Sequence, residues 1–179
     1  MLRVTRGDRI TDLRALELLA AIDIGPTRTM QQDIEFGIVQ IVDIALRAIS
    51  PAVNDPTTAI SAVDQLSSIL IRWMSRAPPE SYYYDPPHVL RVIVHWIDVD
   101  GVLDLAFEQI RHYSVADAAV SLRLMRALGD IAGATSDPAA HARLLARGRR
   151  LVEGCAGRLQ EFDMARLKQR LSRLESAPP

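Results

Sequence analysis

Residues 28–59 read RTMQQDIEFGIVQIVDIALRAISPAVNDPTTA, and this stretch decides the fold. At 100° per residue, Ile34, Ile38, Ile41, Val42, Ala45 and Ile49 fall on one side of a helix from about Met30 to Ile49. Asp33, Gln40, Asp43 and Arg47 fall on the other, with Gly37 beside them. Asp43 and Arg47 stand four residues apart, the spacing of an ion pair on one helix face. Ser50-Pro51 ends the helix, because a residue before proline is pushed out of helical geometry. Asn54-Asp55-Pro56 then starts another, with Asn54 or Asp55 as cap and proline in the first turn. The four-residue link from Ser50 to Val53 makes these two helices neighbours. Arg47, Asn54 and Asp55 are then expected to gather at their shared end, with Asp43 one turn below.

The same helical period recurs outward in both directions. Upstream, Thr11 or Asp12 caps a helix to about Ile22, stopped by Gly25-Pro26. The helix begun at Asn54 runs to about Arg76, burying Ile60, Val63, Leu66, Leu70 and Trp73 and turning Ser61, Asp64, Ser68 and Arg72 outward. Residues 82–97, YYYDPPHVLRVIVHWI, are aromatic and β-branched around an Asp85-Pro86-Pro87 turn. They predict a hairpin of Tyr82–Tyr84 with Val89–His95. Helices return at about 99–113 (Leu103, Ala106, Phe107, Ile110 inward) and 115–132 (Ala119, Leu122, Met125, Leu128 inward). A long one follows to about Leu159, buried through Leu145, Gly148, Val152, Cys155 and Leu159, and a last one uses Met164, Leu167, Leu171 and Leu174. The expectation is a mainly α, compact single domain over residues 1–179. It has about six helices and a small β-hairpin near residues 82–96. Residues 2–6, within a candidate β-segment at 1–8, are expected to form a short strand, and the tail 176–179 is expected to be frayed.

Composition excludes more than it selects. The chain has 179 residues, 49% of them hydrophobic, enough for a real core. A net charge of −1 provides no global field for nucleic acid or acidic lipid. One cysteine, Cys155, rules out a disulfide framework within the chain, and its apolar surroundings predict an inert thiol. The N-terminus lacks the apolar core of a signal peptide, and no uncharged apolar run nears the roughly 20 residues that span a bilayer. A soluble chain is expected. Charge is uneven, however. Residues 1–140 hold 12 Lys/Arg against 18 Asp/Glu, whereas residues 141–175 hold 9 against 4. Basic C-terminal helices could meet nucleic acid or acidic lipid. Without interleaved aromatics or a known module the plainer reading is a solvated face, and no nucleic acid is expected as a partner.

Each polar feature of residues 28–59 has a structural and a functional reading. Thr29 with Gln32 three positions on makes a capping box, leaving Arg28 to pair with Asp33 or Asp55, to hold an anion, or to reach another subunit. Gly37 in mid-helix costs about 1 kcal/mol relative to Ala, which suggests close approach by another helix or a ligand. Thr57 and Thr58 add hydroxyls to a helix N-terminus that can cap itself or receive an anion. The stripe Asp33, Gln40, Asp43 and Arg47 is either the wet side of an amphipathic helix or the lining of a pocket. Asp33, Asp43 and Asp55 could meet around a cation, but metal-ligand spacing is absent and no metal or cofactor is expected. No nucleophile has the company it needs. Ser50 lacks a G-x-S-x-G setting, the four histidines are scattered, and neither a P-loop nor a G-x-G-x-x-G occurs. No catalytic residue is assigned. The candidate binding residues are Arg28, Thr29, Gln32, Asp33, Gln40, Asp43, Arg47, Ser50, Asn54, Asp55, Thr57 and Thr58.

Arg28-Thr29, Gln32-Asp33, Phe36-Gly37, Gln40-Ile41-Val42-Asp43-Ile44-Ala45, Ala48-Ile49-Ser50-Pro51 and Asn54-Asp55-Pro56-Thr57-Thr58-Ala59 together resemble the signature of a family of predicted bacterial membrane proteins, domain of unknown function 2254. A weaker echo runs through Leu105–Tyr113. The resemblance implies the C-terminal soluble portion of a longer protein whose N-terminal part lies in the membrane. It implies a cytoplasmic location for this chain and a plasma-membrane one for full-length relatives, with membrane association only through that missing part. It carries no established activity. The expected function is a non-enzymatic binding or oligomerisation module, with a homo-oligomer as partner. The alternative is a hydrolase using the carboxylates of Asp33, Asp43 and Asp55.

Overall fold

A computed structural model describes residues 11–21, 25, 27–30, 33–77 and 79–177. Among them are seven helices and one two-stranded antiparallel sheet, so the domain is mainly α as expected. In chain order these are α1 (Asp12–Ala20), α2 (Ile34–Ile49), α3 (Pro56–Met74), β1 (Tyr82–Asp85), β2 (Val89–Ile93), α4 (Val99–Ser114), α5 (Ala118–Ala132), α6 (Pro138–Cys155) and α7 (Glu161–Ser176). The expected strand at residues 2–6 and the outermost tail lie outside the described residues.

Helix α5 is the hub. It packs against α3, α4, α6 and α7, while α2 lies across α3 and α4. Being enclosed on several sides, α5 buries nine of its 15 residues, from Val120 to Ala132. The inward positions expected for α4 (Leu103, Ala106, Phe107, Ile110) are all buried, as are Val63, Leu66 and Leu70 of α3. Aspartate caps recur at the helix starts. Asp33, Asp55, Asp98, Asp117 and Asp137 each accept a backbone N–H from the first turn of α2, α3, α4, α5 and α6.

Several registers differ from the sequence reading. Helix α2 begins at Ile34, four residues later than expected, because Asp33 takes the cap. Ile34 then sits at the open first turn and is 48% exposed. In α5, Ala119 is exposed. In α6 the buried line is Ala140, Leu144, Gly148, Leu151 and Cys155, one step round from Leu145 and Val152. That rotation is set by Arg147, which is itself buried against α4. Helix α6 stops at Cys155, short of Leu159, where Gly157 adopts φ +70° and reverses the chain. At the other end α7 remains helical through Ser176.

The hairpin stands apart. Tyr82 pairs with Ile93 and Tyr83 with Val92, and a bulge shifts the register before Tyr84 meets Leu90. The second strand ends at Ile93, two residues short of the expected His95, with the Val94 N–H still donating to the Ser81 carbonyl at 2.8 Å in the same register. All nine strand residues are exposed, and among the described residues neither strand packs extensively on a helix. The Trp96 indole N–H ties the hairpin base by donating to the Glu80 carbonyl at 3.0 Å.

Candidate functional site

The motif stretch folds as two neighbouring helices and a tight corner, and most of its polar groups serve that geometry. At the entrance, Asp33 Oδ1 accepts the Phe36 N–H at 2.9 Å, capping α2 in place of Thr29. The expected Thr29–Gln32 capping box is therefore replaced by a later cap, and Gln32 itself lies outside the described residues. The other oxygen of Asp33 holds Arg28, with Nη2 at 2.5 Å and Nε at 2.6 Å. Arg28 also stacks over the Phe36 ring, 5.4 Å from its centroid. So Arg28 finds its carboxylate within its own chain, five residues away. The Phe36 N–H, the largest effect, holds the Asp33 carboxyl below its usual range; burial opposes it, and the Arg28 guanidinium adds to the lowering.

At the corner, Ser50 donates both its N–H (3.2 Å) and its hydroxyl (2.7 Å) to the Arg47 carbonyl, closing the C-terminus of α2. The Asn54 N–H returns to the Ser50 carbonyl at 2.9 Å, and the Asp55 N–H to the Ala48 carbonyl at 2.8 Å. Asn54 has φ +49°, a left-handed conformation that asparagine tolerates better than most residues. Asp55 then caps α3, accepting the Thr58 hydroxyl at 2.5 Å and its N–H at 3.1 Å. The Thr58 hydroxyl, then its N–H, lower the Asp55 carboxyl's pKa. Thr57 contributes its carbonyl, which receives the Ser61 hydroxyl at 3.0 Å. The two helices pack along their length, as the short link required.

What remains outward is the stripe of α2. Gln40 and Arg47 are exposed, Asp43 is half-buried, and Ile44 beside them is 50% exposed. The expected Asp43–Arg47 ion pair is not formed among the described residues, and no side-chain bond joins Arg47 to Asp55. Gly37 is not a point of tight approach either. A Cβ placed there would meet only Met30 among the described residues, at an ordinary 3.7 Å. Nor do the three carboxylates converge. Asp33 and Asp55 bracket a 16-residue helix, so they lie roughly 24 Å apart, with Asp43 between them. Among the described residues no group of three or more His, Cys, Asp or Glu could hold a metal ion.

The concave and ionic features of the molecule lie elsewhere. A cleft of about 450 Å³ opens where the end of α3 meets the starts of α4 and α6, walled by Trp73, Met74 and Val99 with Arg76 at its rim. Its other polar groups, Thr135 and Asp137, are already bonded in the α6 cap. Between α4 and α6, Arg147 donates to the Asp100 carboxylate at 2.9 Å, the Asp100 carbonyl at 3.0 Å and Asp104 at 2.7 Å, while Arg143 reaches Asp100 at 2.9 Å. Asp64, expected on an ordinary polar face, pairs with Arg123 and links α3 to α5. Sequence reading missed these pairs because their members are 43 to 59 residues apart, beyond any helical period.

Comparison with known proteins gives this geometry a family. A family model described as a predicted membrane protein (DUF2254) matches residues 1–130. The chain belongs to that family. An uncharacterized protein of Mycobacterium bovis and another of Mycobacterium tuberculosis are each 40% identical to it over 120 residues. That segment is 67% of this chain and 23% of either relative, so the chain matches less than a quarter of their length. No solved structure matches. None of the helices among the described residues is long and apolar enough to cross a membrane. The family match thus covers α1 to α4 and all but the last two residues of α5, and leaves α6 and α7 beyond it.

Proposed function

We propose that this chain is a non-enzymatic assembly domain of a bacterial predicted membrane protein, held on the cytoplasmic side, and that it self-associates through the 82–93 hairpin. One observation carries the reading: every residue of both strands is exposed, including Tyr82 (54%), Tyr84 (56%), Val92 (47%) and Ile93 (52%). A lone two-stranded hairpin is marginal in water. Its outer edges carry unpaired N–H and C=O groups that a second hairpin would satisfy while burying both apolar faces. An isologous pairing of two copies uses one surface twice and closes. The carboxylates spread along α2 support a role without chemistry.

Light scattering behind a sizing column, run over a concentration series, tests this. The parent chain should shift from monomer to dimer, and Val92→Lys should remain monomeric at every concentration. The thermal midpoint of the helical core should be unchanged in the variant, because the hairpin does not pack on it. A parent chain that stays monomeric throughout overturns the proposal.

A further inference from the structure

Arg166, Arg170 and Arg173 recur at i, i+4 and i+7 along α7 and so form one stripe. Helix α7 packs on α5, which adds Arg123 and Arg126. Arg170 ties the two helices together by donating to the Leu122 carbonyl at 2.5 Å. Burial, then the charges of Arg166, Arg126, Arg123 and Arg173, push its pKa down, so the other four guanidinium groups lie within electrostatic reach of Arg170. Three carboxylates answer them. Asp64 holds Arg123, and Asp130 and Asp163 form exposed i,i+4 and i,i+3 ion pairs with Arg126 and Arg166 at 3.6 and 3.4 Å, so the face keeps a positive excess of two. Among the described residues Arg170 and Arg173 have no carboxylate partner. Arg126 and Arg166 are about half exposed, and Arg173 is exposed. At the start of the stripe Phe162 is 73% exposed, with the Arg166 guanidinium 5.7 Å from its ring centroid.

A face of like charges is costly unless an anion offsets it, and guanidinium groups match phosphate geometry. We propose that the α5–α7 arginine face docks on the phosphate layer of an acidic phospholipid surface, with Phe162 entering the headgroup boundary. The apolar line of α7 is already packed on the core, so contact with a bilayer would rest on the arginine charges and on Phe162 alone, basic groups meeting anionic headgroups and one ring entering their boundary. Base stacking would need aromatic rings between the arginines, and here the ring stands at one end. The family's description as predicted membrane proteins sets the same surface within reach. The stripe on α7 lies beyond the residues 1–130 matched by the family model, whereas Arg123 and Arg126 of the same face lie within them.

Flotation of the whole chain with vesicles tests the proposal. Vesicles of phosphatidylglycerol mixed with phosphatidylcholine should carry the protein up the gradient, and pure phosphatidylcholine should not. Added salt should release it. Arg166→Gln with Arg173→Gln spares the Arg170 bond to α5 and should weaken binding roughly 30-fold, at about 5-fold for each charge lost near the surface. Arg47→Gln with Arg76→Gln removes the same charge elsewhere and should change binding little. Phe162→Ser should weaken it with charge unchanged. Equal binding to neutral vesicles, or equal loss in the two double variants, overturns the proposal. So does tighter binding to inorganic polyphosphate or duplex DNA than to the vesicles, which would make the face a polyanion site of another kind. Thermal midpoints of the variants, read alongside, separate a lost contact from a lost fold.

Discussion

At single residues the consequences turn on what each side chain meets. Gly37 sits inside α2 with ordinary space around it, so Ala there should gain helix propensity, about 0.5–1 kcal/mol. Gly148 sits inside α6 where a Cβ would lie 3.1 Å from Leu171, 3.3 Å from Leu174 and 3.4 Å from Met125. Here overpacking outweighs the propensity gain, and Gly148→Ala should cost about 1 kcal/mol. Opposite shifts of the thermal midpoint check both; a gain at Gly148 would show that α7 yields easily. The same logic applies to two aspartates, of which the sequence singles out Asp43 as a candidate site residue and leaves Asp64 on an outward helix face. Asp43 belongs to the motif stripe but has no ion-pair partner among the described residues, so Asp43→Ala should stay within about 0.5 kcal/mol. Asp64 holds Arg123 across the α3–α5 contact, and Asp64→Ala should cost up to about 1 kcal/mol, since both groups are partly exposed. A double-mutant cycle with Arg123→Ala isolates the pair. Periodicity shows that Asp64 faces away from the α3 core line; it cannot show that an arginine 59 residues later waits there.

At the level of elements, the helices were legible because each carries its own period and its own stop. The Ser50-Pro51 corner and the Asp55-Pro56 start are local chemistry, and both appear where the residues placed them. The start of α2 was less legible because Thr29 and Asp33 are both competent caps, and competition between them is settled by Arg28 and Phe36. Rotation of α6 was not legible, because a buried arginine reads as a surface residue until Asp100 and Asp104 are seen opposite it. Arg147→Met should therefore loosen α4 from α6 and cost about 2 kcal/mol in denaturant unfolding. That is below the cost of breaking a fully buried pair, because the two carboxylates are half exposed and can rehydrate. The caps also make a pH prediction. Asp33 and Asp55 both have lowered folded-state pKa values, so each contributes stability that is complete above the unfolded Asp value near ~3.9. It disappears as pH falls through the lower folded value. The midpoint gap between the parent chain and Asp55→Ala should thus be constant around neutrality and narrow in acid below about pH 4. A gap that persists there would mean that Asp55 acts through its shape alone.

For the molecule as a whole, stability should be graded from the hub outward. Helix α5 touches four other helices and holds nine buried residues, so its central amides can exchange with solvent only when most of the fold opens. Helices α2, α3 and α4 share a second contact set, and α6 with α7 closes the far side of α5 through Gly148, Leu167 and Leu174. The hairpin lacks such support: its strands bond to each other and to little else, and their side chains face water. Deuterium uptake should accordingly be slowest at Leu124–Leu128, intermediate in α6 and α7, and fast throughout 82–93. The hairpin gives this experiment a second use. If two copies pair through it, uptake at 82–93 should slow as protein concentration rises while that of α5 stays the same. The arginine face predicts a different pattern, in which acidic vesicles slow uptake along α7 at any protein concentration. Slow exchange in the hairpin of dilute protein would contradict the graded picture, since no helix among the described residues packs extensively on it.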